Sequence, residues 1–98
     1  FEQSVLNRVV SQENNVRLIR AKVELDEADA AIVYRTDAMA SEQVQMVPIP
    51  TDLNVLAQYP IGVIEGSENR QIANKWLSYL FSPHGQKVLA RHGFMVNL

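Results

Sequence analysis

Tyr34 closes the apolar run Ala30-Ala31-Ile32-Val33 within A-D-A-A-I-V-Y-R-T-D-A, residues 28–38, and is the side chain best placed to touch a ligand. Its hydroxyl donates a hydrogen bond while staying neutral, which suits an anionic ligand. The position also suits a packing tyrosine with a solvated hydroxyl, so residue type and spacing leave both roles open. Arg17 and Arg35 either add long-range attraction for an anion or stand as solvated cations. Other chemistries are less well served. Glu24-Leu25-Asp26-Glu27-Ala28-Asp29 is rich in acids, but it lacks the alternating Asp spacing and turn glycine of a calcium loop and reads as a solvated loop. His84 and His92 are too far apart along the chain for an adjacent helical metal pair, so no metal site is expected. No Ser-His-Asp or paired-carboxylate arrangement is visible and no Cys is present, so the reading is not an enzyme and includes no cofactor.

The elements that must position Tyr34 can be read from periodicity and caps. Phe1 to Val10 starts with a short helical pattern (Val5, Leu6, Val9) and passes toward an extended piece at Arg8-Val9-Val10. Asn14 or Asn15 caps a helix from about Val16 to Leu25, with Val16, Ile19 and Val23 near one face and Leu18 and Leu25 flanking it. Carboxylates oppose the dipole at a helix C-terminus, so this helix should end near Asp26. Ala30 to Tyr34 reads as a strand buried on both faces. Thr36 or Asp37 then caps one helical turn. Val44 to Ile49 is a second strand and Tyr59 to Ile64 a third, separated by the turn-rich loop Pro50 to Gln58. Ser67 caps a helix from Glu68 to Phe81 whose stripe is Ile72, Trp76, Leu77 and Leu80. Ser82 and Pro83 restart a final helix that Gly93 stops, and Phe94-Met95-Val96 form a short apolar tail. Tyr59 and Trp76 read as packing or hinge residues. The element order is α/β.

Bulk properties narrow the function class. A chain of 98 residues has room for one domain at most, and its 47% hydrophobic content provides enough apolar side chains to bury a core. A formal charge of -2 without a Lys/Arg run leaves no electrostatic footprint for nucleic acid. No apolar segment is long enough for a membrane span, and no signal peptide is visible. A start at Phe1 rather than Met predicts a processed chain or a fragment.

Three motifs in order carry a resemblance. Val23 to Ala38, V-E-L-D-E-A-D-A-A-I-V-Y-R-T-D-A, resembles the signature V-A-L-G-E-A-D-A-G-I-V-Y-x-T-D-A of periplasmic molybdate-binding proteins of ABC transporters. Tyr59-Pro60-Ile61-Gly62-Val63-Ile64 is similar to their Y-P-I-A-V strand, and Ser82-Pro83-His84-Gly85-Gln86-Lys87-Val88-Leu89 through His92-Gly93-Phe94 to their S-P-E-G-Q-x-x-L…Y-G-F ending. Asp26 and Ala31 stand where the family often has Gly; Asp tolerates a left-handed helix end, so the first departure is mild.

The resemblance implies a two-lobed α/β architecture with an oxyanion held in the cleft, of which this chain is the C-terminal portion. Residues 1–58 would be part of the second, ligand-binding lobe, and residues 59–98 the crossover strand and C-terminal helices that pack on the first. Two ligand contacts carry over: the Tyr34 hydroxyl, and the backbone N–H at the start of the preceding helix, which falls on Val16. The implied ligand is molybdate or tungstate. The implied partners are a membrane permease and the missing N-terminal lobe, and the implied place is the periplasm, or outside the membrane but attached to it in a Gram-positive organism. Neutral donors suit such a site: helix-start amides and a hydroxyl donate to a fully ionised oxyanion, whereas a nearby carboxylate would repel it. Charge-assisted hydrogen bonds contribute about 1.5–3 kcal/mol each, so two contacts without the other lobe do not hold the anion tightly. The alternative expectation is a self-associating fragment, a homodimer or domain swap, with no anion binding of its own.

Overall fold

A computed structural model of the chain describes residues 1–96. It holds five helices among the described residues: α1 (Glu2–Leu6), α2 (Val16–Glu24), α3 (Arg35–Met39), α4 (Arg70–Phe81) and α5 (Pro83–Arg91). Contacts divide the chain into two compact units, Phe1–Val47 and Pro48–Leu98.

In the first unit, α2 is the organising element. Asn15 has extended backbone (φ -142°, ψ 124°), and its side-chain oxygen accepts from the Arg17 N–H at 2.8 Å. This is the cap the sequence announced. Val16, Ile19 and Val23 are half-buried, as the periodicity predicts, and the flanking Leu18 and Leu25 are exposed. The helix stops where Asp26 turns left-handed (φ 58°). The Asp26 N–H then donates to the Val23 carbonyl (3.1 Å) and the Glu27 N–H to the Lys22 carbonyl (2.8 Å), satisfying carbonyls the helix leaves open. The side chains of Lys22 and Glu27 close over this stop as an ion pair at 3.0 Å, in the place where an apolar contact commonly sits.

The second unit is built on a helical hairpin. Ser82 ends α4 and begins α5: its Oγ accepts from the Gly85 N–H at 3.2 Å and donates to the Tyr79 carbonyl, while Pro83 takes the first helical position. Gln86, only 6% exposed, donates its amide to the Leu80 carbonyl at 2.8 Å, so another open carbonyl of α4 is satisfied from α5. Gly85 is buried, and a Cβ there would run into the Tyr79 and Leu80 carbonyls. Gly93 (φ 93°) stops α5, with its own N–H on the Ala90 carbonyl and the Phe94 N–H on the Leu89 carbonyl. Tyr59 packs edge-on against Phe94 (centroids 6.2 Å, 81°), and Trp76 stacks on Tyr79 (5.6 Å, 22°).

Several expectations need correction. Ala30–Tyr34, Val44–Ile49 and Tyr59–Ile64 form no strand ladder among the described residues, so the sheet of the expected α/β arrangement is not realised within this chain. A strand needs an edge to pair with, and β-rich composition supplies no partner. The run before Tyr34 is correspondingly not enclosed on two faces: Ile32 is 81% exposed. No hydrophobic residue among the described ones is fully buried, although the composition had promised a core. Composition measures how much apolar surface is available; burial requires a second layer to cover it. The cap of α3 is Tyr34 rather than Thr36 or Asp37, because its extended backbone (φ -70°, ψ 149°) leaves its carbonyl open to the N–H groups of Asp37 (3.0 Å) and Ala38 (3.2 Å). α4 begins at Arg70 instead of Glu68: the Ser67 hydroxyl accepts from the Asn69 N–H and spends itself on a turn before the helix. Its half-buried residues are Ala73, Leu77 and Leu80, while Ile72 and Trp76 stay exposed, because among the described residues α5 is the one helix packed on it and covers one face.

Candidate functional site

Both residues singled out from sequence lie in the first unit. Val16 is the first residue of α2. Asn15 takes the Arg17 N–H with its side chain, and its carbonyl takes those of Leu18 (3.1 Å) and Ile19 (3.3 Å). The Val16 N–H enters none of the backbone hydrogen bonds found among the described residues, so the cap leaves the first amide of the helix undischarged. The dipole of a nine-residue helix stands behind it.

Tyr34 sits at the N-cap of α3 and is about half exposed. Its backbone starts the helix without a cap from its own side chain. A phenol is too long to fold back onto the amides two or three residues ahead, which is why Tyr is not among the preferred caps.

The helix that starts at Val16 and the helix that Tyr34 caps are linked by Arg20, a residue the sequence analysis did not single out. α2 and α3 pack against each other, and Arg20 donates from Nη1 to the Asp37 carbonyl at 3.0 Å. Its Nε, buried and outside hydrogen-bond alignment, faces Glu24 Oε1 at 3.0 Å as an ion pair. The i,i+4 spacing of Arg20 and Glu24 was the available signal. Nothing in sequence announced the Asp37 carbonyl, because a backbone acceptor carries no residue signature.

Two acids of the acid-rich stretch face cations of the chain itself: Glu24 faces Arg20 and Glu27 faces Lys22. The hydrogen bond and the charge of Glu27 hold the Lys22 ammonium above the ordinary lysine value. His84 lies beside the Tyr79 ring (centroids 5.8 Å), and His92 Nδ1 is 3.0 Å from the Val88 carbonyl, so the two imidazoles have separate partners. No helix among the described residues is long and apolar enough to cross a membrane.

Comparison with known proteins adds to this geometry. Residues 1–95 match the family described as bacterial extracellular solute-binding protein. The chain is 40% identical over 81 residues to the molybdate-binding protein ModA of Haemophilus influenzae, covering 82% of this chain and 32% of that protein. It is 36% identical over 83 residues to the molybdate-binding protein ModA of Escherichia coli, covering 84% of this chain and 32% of that one. The chain thus spans about a third of the length of the curated relatives it matches. No solved structure matches it.

Proposed function

Because this chain belongs to the family of bacterial extracellular solute-binding proteins, a transport-binding family and not an enzymatic one, we propose that it forms one wall of a cleft for molybdate or tungstate. The Tyr34 hydroxyl and the Val16 amide are the donors. The remaining donors come from a lobe outside this chain, completing a two-lobed α/β fold in which the segments Ala30–Tyr34, Val44–Ile49 and Tyr59–Ile64 find strands to pair with. Residues 1–58 belong to the ligand lobe, and residues 59–98 return to the other. The loaded protein delivers its oxyanion to the membrane permease of an ABC importer. It works in the periplasm, or tethered outside the membrane in a Gram-positive organism.

The observation that supports this reading most directly is the undischarged Val16 amide at the start of a capped helix, in the same unit as Tyr34. A fixed N–H on the positive end of a helix and a neutral hydroxyl are donors that a tetrahedral dianion accepts without any proton changing hands. The test is calorimetry with sodium molybdate on the natural polypeptide that carries these residues. Tight one-to-one binding is expected, weakened roughly ten- to hundredfold by Tyr34→Phe, the loss of one charge-assisted hydrogen bond. Absence of heat with molybdate, tungstate and every other tetrahedral oxyanion would overturn the assignment.

A second reading is favoured by a different observation. With no fully buried hydrophobic residue among the described ones, and with Ile32, Val47 and Val55 each more than four-fifths exposed, the 98-residue chain by itself presents apolar surface that favours self-association. In this reading the isolated chain pairs with a second copy, as a homodimer or domain swap, and holds no anion. Light scattering at high concentration decides it: a monomeric mass rules it out.

A further inference from the structure

We propose that Arg20 is a positioning residue for the oxyanion site, strapping α3 to α2 so that the donors at the two helix starts face one ligand; the inference rests on the proposed function above. Three observations carry it. First, α3 has only five residues, too few to hold itself as a helix, so the position of its cap residue Tyr34 depends on what α3 is fastened to. Second, the carbonyl that Arg20 takes is one the short helix leaves open. Ser41, whose N–H would close the ladder onto Asp37, donates to the Ala38 carbonyl instead (3.2 Å), and Arg20 Nη1 donates to Asp37 at 3.0 Å in its place. A cation at that end of α3 is also favoured by the helix dipole. Third, the bond lies about one turn inside each helix start: Arg20 is four residues from Val16 on the same face of α2, and Asp37 three residues from Tyr34.

The guanidinium is held on two sides. Nε faces Glu24 Oε1 at 3.0 Å while Nη1 is committed to Asp37, and both side chains of the ion pair are at most a quarter exposed. Arg20 therefore acts through α3 and not by touching the anion. A planar group with several fixed donors can hold a carboxylate and a carbonyl at once, which the single ammonium of lysine does less well.

The test uses Arg20→Met and Arg20→Lys in the natural polypeptide, with sodium molybdate as probe. Arg20→Met should accelerate exchange of the Asp37 and Ala38 amides, leave those of α4 and α5 unchanged, and lower molybdate affinity about tenfold, with Arg20→Lys between it and the parent. In a Tyr34→Phe background Arg20→Met should cost little more, because the donor it positions is gone. Unchanged exchange in α3 overturns the strap. An equal affinity loss in both backgrounds, vanishing at high salt, overturns it too, since that is the signature of long-range attraction by a charge. If the parent binds no molybdate, the functional reading has failed and the inference falls with it; if the parent binds and Arg20→Met binds equally well, the inference alone has failed.

Discussion

The junction between α4 and α5 and the route from α2 to α3 solve the same problem in opposite ways. Between α4 and α5 the chain turns within the single residue Ser82, and the groups that close the turn lie in one short span: the Ser82 hydroxyl, the N–H of Gly85 and the side chain of Gln86 against the carbonyls of Tyr79 and Leu80. Between α2 and α3 the chain runs through residues 25–34 without a regular element, and a guanidinium reaches from one helix to the other across seventeen positions. The first arrangement is local and dense, the second long-range and sparse. Loop closure costs grow with length, so the dense junction can order itself while the sparse one depends on a few side-chain contacts. It is the sparse one that carries both proposed ligand donors.

Substitutions can break or sharpen this contrast. The largest effect is expected from Gly85→Ala. In a free helix the change would stabilise by about 1 kcal/mol, but the added methyl runs into the Tyr79 and Leu80 backbone, and overpacking costs about 1–3 kcal/mol, more against a backbone that cannot rotate away. We expect a net loss that frees the Gln86 amide and both ends of the hairpin, read as faster amide exchange across 79–86 with α2 unaffected. Exchange unchanged in the hairpin would show that the two helices are not held by close approach.

A smaller change of opposite sign is expected from Asp26→Gly. Asp26 holds a left-handed conformation that costs an ordinary residue roughly 1–2 kcal/mol and Asp somewhat less, while glycine adopts it freely at some cost in unfolded-state entropy. The net gain should stay under about 1 kcal/mol, seen as slower exchange of the Glu27 amide. A loss instead would mean that the aspartate side chain contributes to the stop.

The smallest effect concerns pH. Glu27 holds Lys22 above its ordinary value of 10.5, so the favourable contribution of the pair is complete below that value and is lost as pH rises through the raised folded one. Resonances at the end of α2 should be steady through the neutral and mildly alkaline range and move only above it, and Lys22→Gln should remove that step. A step near neutrality would assign the effect to another group.

Legibility in the sequence follows the same division. Asn15, the Ser82-Pro83 restart, the Gly93 stop and a helix end at Asp26 were all readable because a cap is decided within three or four residues by one side chain and the backbone beside it. The three segments were readable as β-rich, but not that they form no ladder among the described residues, since pairing is settled by an edge that the segment itself does not encode. Ser67 shows the limit even of local signals: a serine three residues before a helix can cap it or spend its hydroxyl on the turn before, and the two uses look alike in sequence. Tyr34 was singled out by resemblance to a motif, but its place as the backbone start of α3 was not foreseen, because capping by a carbonyl alone leaves no mark on residue type. Arg20 was missed as a cross-link for the same reason.

The lack of any fully buried hydrophobic residue among the described ones has a calorimetric meaning. The heat-capacity rise on unfolding and the slope of stability against denaturant both measure apolar surface newly exposed to water. A chain that already wets many of its apolar side chains and fully buries none among the described residues has little left to expose. Unfolded by itself, it should melt over a wide span of temperature with a small heat-capacity step and respond shallowly to urea. A sharp, steep transition would then report surface that a partner had covered.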